Sequence, residues 1–420
     1  MKNNSKRLIF HIDVNSAYLS WEAAYRLQHG ELTDLRKIPS VVGGNEKLRH
    51  GIVLTKSIPA KKFDIKTGEP LYSAKNKCTN LIIVPPKYDL YIKCSNAMHK
   101  LFENYTPIVQ RFSIDESWLD FTDMKNHYPN YIKLAYEIKD KIKNNLGFTV
   151  SIGISSNKLL AKVASDMKKP DAITTLFPHE IESKMWKLPV ENLFGVGKAT
   201  LLKLHKLNIF SIGDLANYDV EILKNHLKSH GVMLWNYANG IDNSEVKKNN
   251  HINIKSMGNS TTIPFDVTDK QTAHIILLSL CERVASRLRQ SNNCCRVISV
   301  NIKENDFNFY SHQQKLYIAT DSTQKIAEVT YKLFDEYWQG NPIRHLGIHV
   351  ADLYSNDFCQ YSLFENKSIE KQKSIDSTID KIRQKYGATA IKRSCFINSG
   401  IYHMSGGVGD FDYPIMNSKL

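Results

Sequence analysis

The chain has 420 residues, 42% of them hydrophobic and 10% aromatic, and a formal net charge of +14. That length predicts roughly two to four domains, and the apolar content excludes a wholly disordered basic chain. The cationic excess favours a polyanionic partner such as nucleic acid or an anionic membrane surface; the plainer reading is a solubility charge with no partner.

In chain order, the apolar run Leu8-Ile9-Phe10-His11-Ile12 reads as a strand that stops at Asp13. Asn15 or Ser16 can cap a helix in which Ala17, Trp21 and Ala24 share a face. Strand and turn signals follow at 39–44 and 51–55. Residues 88–104 read as a helix, and 108–121 as two strands around Ser113-Ile114-Asp115-Glu116. Residues 130–145 read as a basic amphipathic helix. Thr149 to Ile154 is a strand leading into a helix from Lys158 to Met167. Strand–helix–strand–strand–helix–strand is the order of a ferredoxin-like sheet, with 25–77 inserted in its first crossover. Residues 180–242 are short helices punctuated by Gly and Pro, and 243–256 is a polar linker. A second α+β unit spans 257–354, with helices at 270–290 and 321–338. Residues 355–420 read as a tail with one helix at 367–386.

No apolar stretch approaches the ~20 residues of a membrane helix, and the run after the basic start ends too soon for a signal peptide. The seven cysteines are scattered without metal-binding spacing. They read as reduced, mostly buried thiols of a cytoplasmic protein.

Three acidic residues carry the chemical argument. Alone, Asp13 reads as a helix cap and Asp115-Glu116 as a solvated turn. If their strands are neighbours, three carboxylates converge at one end of a sheet in a basic protein. They would then raise one another's pKa unless divalent cations intervene. Mg²⁺ takes hard oxygen ligands and binds phosphates, and a metal pair suits displacement at phosphorus. A second signal is Leu193-Phe194-Gly195-Val196-Gly197-Lys198, a hairpin that can present backbone amides and a helix N-terminus to a DNA phosphate. The simpler reading of that stretch is an ordinary glycine-containing connection between helices.

These residues resemble the Y-family, translesion DNA polymerases, in order along about 1–365. Ile12-Asp13-Val14-Asn15-Ser16-Ala17-Tyr18 is similar to the family's first metal motif, and Ser113-Ile114-Asp115-Glu116-Ser117-Trp118 to its second. Gly153 to Lys162, continuing to Asp171, resembles the palm's closing helix. Phe194-Gly195-Val196-Gly197 falls at the thumb hairpin. Lys255 to Thr262 and Arg344-His345-Leu346-Gly347-Ile348 resemble little-finger strands.

The resemblance implies an α+β multidomain right-hand polymerase. The palm would be ferredoxin-like (1–24 and 78–170), with small fingers (25–77) and a helical helix–hairpin–helix thumb (171–242). The linker (243–256), an α+β little finger (257–354) and a tail (355–420) would follow. It implies a cytoplasmic, monomeric, error-prone enzyme that adds dNTPs to primer–template DNA with two Mg²⁺ ions (Mn²⁺ a substitute) and no proofreading.

By the same resemblance Asp13, Asp115 and Glu116 are the catalytic carboxylates and metal ligands, with the Val14 carbonyl completing the nucleotide-side ion. Tyr18 is the steric gate against a 2′-hydroxyl. Thr55, Lys61 and Lys169 contact the triphosphate, and Gly195, Gly197 and Lys198 contact DNA. Ala17, Ile58 and Lys61 depart from common family residues, Lys61 exchanging a bidentate arginine fork for a point charge. Gln360, Leu363 and Phe364 in Gln360-Tyr361-Ser362-Leu363-Phe364 resemble the bacterial sliding-clamp peptide. The residues beyond it suggest a polymerase V-like or plasmid- and phage-associated branch rather than the shorter polymerase IV branch. A catalytically inactive DNA- or clamp-binding scaffold remains an alternative, as does, less favoured, a two-metal nuclease or nucleotide cyclase.

Overall fold

The computed structural model describes residues 7–49, 51–248, 254–357 and 368–404. Among these, residues 7–43 and 53–248 form one compact unit, and residues 254–357 and 368–404 belong to a second.

The first unit is built on β1 (Ile9–Val14), followed by α1 (Ala17–Gln28). A small sheet comes next: β2 (Ser40–Gly43), β3 (Val53–Lys56), the short helices α2 (Ile58–Lys61) and α3 (Leu71–Lys77), and β4 (Ile82–Val84). The chain then returns through α4 (Tyr88–Glu103), β5 (Val109–Arg111), β6 (Glu116–Asp120), α5 (Tyr131–Leu146), β7 (Val150–Ser155), α6 (Lys158–Met167) and β8 (Ile173–Thr175). The main sheet has the order β5-β6-β1-β7-β8, with β1 antiparallel to both β6 and β7. This is the ferredoxin-like arrangement with one extra parallel edge strand.

All six residues of β1 are buried, because both sheet faces are covered. Phe10, Ile12 and Val14 pack with α1, α4 and α5, while Ile9 meets Trp118 and Ala161 on the α6 side. Gly153 allows α6 its close approach: a Cβ there would lie 1.9 Å from the Ala161 carbonyl oxygen. The other side of α6 joins the helical part of the unit. There Leu159, Leu160 and Val163 share a core with Leu204, Leu215 and Leu234 from α7 (Lys198–Lys206), α8 (Ile212–Ala216) and α10 (Ser229–Ala238); α9 (Val220–Leu227) adds Leu223.

Several boundaries differ from the sequence expectation. β4 pairs with β2, so the inserted sheet runs past residue 77, and β8 pairs with β7, so the main sheet runs past residue 170. Helix α1 continues beyond residue 24. The first helix of the expected helix–hairpin–helix is a single 3₁₀ turn, Val190–Asn192. The start of the expected linker is not free: Val246 is buried with Ile9 and Trp118, and the Lys247 amide donates to Gln110. One buried valine is too weak a periodic signal to be seen in a polar segment.

The second unit contains β9 (Ser256–Val267), α11 (Lys270–Gln290), β10 (Asn293–Glu304), β11 (Phe309–Thr320), α12 (Thr323–Tyr337) and β12 (Ile343–Ser355). Its antiparallel sheet has the order β11-β10-β12-β9. The element order repeats that of the first sheet, but the strand order does not. Residues 368–404 are more than a tail. Helix α13 (Ser368–Tyr386) and the residues after it pack on this unit, burying Phe396 and Met404. Buried Glu282 accepts from Arg383 at 3.2 Å and Arg393 at 2.8 Å, and Arg289 pairs with Asp376 and Asp380. No helix among the described residues is long and apolar enough to cross a membrane.

Candidate active site

The strands bring the predicted carboxylates together. Asp13, at the end of β1, is the register partner of Glu116, at the start of β6. The Val14 amide donates to the Asp115 carbonyl at 3.1 Å, drawing the 113–116 turn against the end of β1. Asp115 also accepts from the Ser113 hydroxyl at 2.5 Å. The expected side-chain cap of α1 is absent. Ser16 occupies the cap position in the left-handed region without a capping hydrogen bond. Asn15 instead bonds across to Thr149 and Ser151, fixing the turn that leaves Asp13.

Burial raises the pKa of Asp13 well above the ordinary carboxylate value; Lys169 pulls the other way, and Glu116 and Asp115 add to the rise. Burial likewise raises Asp115, opposed by its Ser113 hydrogen bond and reinforced by Glu116. Two lysines answer these charges. Lys169 Nζ donates to Asp13 at 3.0 Å and pairs with Asp166 at 2.7 Å. Burial disfavours its charge, yet the two aspartates hold its pKa above the usual lysine value. One lysine does not offset burial and two acidic neighbours, so the Asp13 shift stays upward. Lys162 Nζ donates to both Glu116 oxygens, at 2.8 and 2.9 Å.

A cavity of about 990 Å³ opens in front of this end of the sheet. Its lining contains Asp13, Val14, Tyr18, Thr55, Lys61, Asp115 and Lys169, together with Ala17 and Ile58, and it includes Arg36, Lys56 and Lys143, which sequence reasoning did not single out. Thr55 comes from β3 and Lys61 from the end of α2, whose start is capped by Ser57. The Tyr18 ring stacks on Tyr91, with centroids 4.6 Å apart and planes 9° apart, and meets Tyr88 edge-on. It is therefore held as a fixed wall of the cavity.

Glu116 is not in that lining; it lies with Lys162 beside it. Gly195, Gly197 and Lys198 are also outside the lining. Gly195 has φ +94°, a left-handed turn suited to glycine, and Gly197 precedes the first turn of α7, which Lys198 opens. A Cβ at Gly197 would meet nothing within 4 Å, so backbone there faces open space. Gln360, Leu363 and Phe364 lie outside the described residues.

The donor chemistry fits hard divalent ions: carboxylate oxygens whose ionisation burial and like charge suppress are groups a multivalent cation would return to the ionised form. No ready-made cage of three Asp, Glu, His or Cys side chains is present among the described residues. Asp13 and Glu116 are turned to lysines instead, and Asp115 to the Ser113 hydroxyl. The Glu116–Lys162 pair was not foreseen. Its one sequence signal was the recurrence of Lys158 and Lys162 four residues apart on a helix, a pattern also common on solvated faces.

Residues 12–166 match the impB/mucB/samB family and residues 254–363 its C-terminal domain. The chain is 49% identical over 391 residues to the DNA polymerase IV of Clostridium acetobutylicum, covering 93% of this chain and 98% of that protein. It is 41% identical over 397 residues to the DNA polymerase IV of Acetivibrio thermocellus, with 93% and 98% coverage. Among solved structures, a Y-family DNA polymerase chimera built on Dbh shares the fold with TM-score 0.70 at 22% identity, over 83% of this chain and all of that one. The relatives called polymerase IV align over nearly their whole length. The residues after the clamp-like peptide therefore do not set this chain apart from them, contrary to the expected V-like branch.

Proposed function

The chain belongs to the Y-family of translesion DNA polymerases, the impB/mucB/samB family, and from that premise we propose which of its residues perform nucleotidyl transfer. It is a DNA-directed DNA polymerase that adds dNTPs to a primer 3′-hydroxyl on a template strand. The observation that carries the residue assignment is the single cavity that gathers Asp13, Val14, Tyr18, Thr55, Lys61, Asp115 and Lys169, with Glu116 paired beside Asp13.

Asp13, Asp115, Glu116 and the Val14 carbonyl would hold divalent cations, Mg²⁺ in general for this family. When bound, these ions lower the pKa of the primer hydroxyl and neutralise charge building on the triphosphate. The remaining work belongs to the chain. Lys61 and Lys169 face the cavity as cations for the phosphates, and Thr55 offers a hydroxyl to them. Tyr18, backed by Tyr91, sets the floor under the sugar, so a 2′-hydroxyl would meet a ring that cannot recede. Ile58 is apolar, 46% exposed and in the cavity lining, where its side chain has no hydrogen-bonding group to offer a phosphate. Gly195, Gly197 and Lys198 would take a backbone phosphate, a contact that weakens with salt. Gln360, Leu363 and Phe364 would dock a sliding clamp. The setting would be the cytoplasm, at the nucleoid.

Primer extension by Asp115→Ala tests the assignment. Incorporation should be lost while primer–template affinity stays within about twofold of wild type. Retained incorporation removes Asp115 from the metal site. A wild type that binds primer–template without extending it would make the protein a binding scaffold.

A further inference from the structure

Lys162 is placed unlike the other basic residues near the site. Lys169 lines the cavity and can turn to an incoming triphosphate, whereas Lys162 does not line it. Its side chain is only 12% exposed, and both of its close hydrogen bonds go to Glu116. The ammonium also sits over two aromatic rings, 5.0 Å from the centroid of Phe112 and 5.9 Å from that of Phe194. Those rings meet edge to face, 5.9 Å apart, and Phe112 packs on Trp118 at 4.7 Å. Phe112 is further tied to the carboxylate's own residue, its amide donating to the Glu116 carbonyl at 3.0 Å. Phe194 belongs to the hairpin, next to Gly195.

A lysine stem has four rotatable bonds and loses much rotamer freedom when fixed. Two ring faces and a bidentate carboxylate together hold this one in place, the cation–π contacts adding to the hold of the ion pair.

We propose that Lys162 is a positioning residue. It is a built-in cation that orients the Glu116 carboxylate and competes with a divalent ion for its oxygens, held in an aromatic box of which the DNA-binding hairpin supplies one wall. The inference rests on Glu116 being a metal ligand. It gives Glu116 a counter-charge before metal arrives, and it makes the strength of metal binding depend on how firmly Phe194 holds the ammonium. A DNA phosphate seated on the hairpin would act on Glu116 through that ring.

The test is Mn²⁺ binding to the full chain without DNA, followed by electron paramagnetic resonance of the free ion, beside steady-state dNTP incorporation. Lys162→Gln removes a unit charge about 3 Å from Glu116 and should tighten Mn²⁺ binding about fivefold or more. It should also lower kcat with KM for dNTP unchanged. Lys162→Arg restores the charge and should return Mn²⁺ affinity to within about twofold of wild type. Phe194→Leu, which keeps the lysine, should shift Mn²⁺ binding in the same direction by a smaller factor, and it stands in if the lysine variants do not fold.

Unchanged Mn²⁺ affinity in both Lys162→Gln and Phe194→Leu overturns the proposal. So does a rise in KM at constant kcat, which would make Lys162 a nucleotide contact. Glu116→Gln separates the two layers. If that variant keeps wild-type metal binding and extension, the active-site assignment itself fails. If it loses both while Lys162→Gln changes nothing, only the role of Lys162 fails.

Discussion

Lys158 offers a quantitative check on how this site is built. It opens α6, is 1% exposed, and places its ammonium 4.4 Å from the centre of the Trp118 ring, on the strand that begins at Glu116. Burial lowers its pKa from 10.5 to about 8; Asp242 opposes that fall, and Arg7 and Lys247 reinforce it. At about 1.4 kcal/mol for each pH unit between those values, keeping the charge at neutral pH costs on the order of 3 kcal/mol relative to the unfolded chain. Lys158→Met retains the apolar stem and removes the charge, forfeiting a cation–π contact worth ~1–2 kcal/mol. The variant should therefore be more stable than wild type at pH 7 by about 1–2 kcal/mol.

The pH dependence carries the sign. Between about pH 8 and 10.5 the unfolded lysine still holds a proton that the folded one has released. The unfolded state binds more protons there, so wild-type stability gains from this residue as pH rises. The advantage of the variant should shrink over that window. Urea denaturation of both proteins at pH 7 and at pH 10 measures the difference, in which other titrating groups cancel. A variant less stable at pH 7, or an advantage independent of pH, would refute the reasoning.

Three further outcomes are expected. Tyr18→Ala should reduce the preference for dNTP over rNTP by at least about tenfold in kcat/KM, and an unchanged ratio would remove the gate assignment. Glu282→Ala leaves Arg383 buried without its carboxylate and should cost about 3–5 kcal/mol in urea denaturation; a loss under 1 kcal/mol would show that residues 368–404 do not depend on that pair. Changing Leu363 and Phe364 to Ala should abolish capture by immobilised sliding clamp while distributive extension remains at wild-type rate. Persistent capture would move the clamp site elsewhere.

The element types and the three candidate carboxylates were legible because they are local. An apolar run that ends in Asp13, and a turn carrying Asp115-Glu116 between strand segments, announce themselves by periodicity and by its interruption. The βαββαβ order followed from the same patterns, as did the helices at 88–104, 130–145, 158–167 and 270–290.

What tertiary structure decided was partnership. Lys162 reaches Glu116 across 46 residues, Lys169 reaches Asp13 across 156, and Arg383 reaches Glu282 across 101. Tyr91 backs Tyr18 from a helix that begins 60 residues after α1 ends. β4 and β8 are three-residue strands that pairing defines and propensity alone does not. The two α+β units share an element order yet differ in strand order, so the succession of strands alone does not select the neighbours. Sequence by itself determined which residues carry acid, base and ring, and on which kind of element. Only the packed sheet and its helices decided which lysine answers which carboxylate, since a long-range ion pair depends on a separation in space that no local pattern encodes.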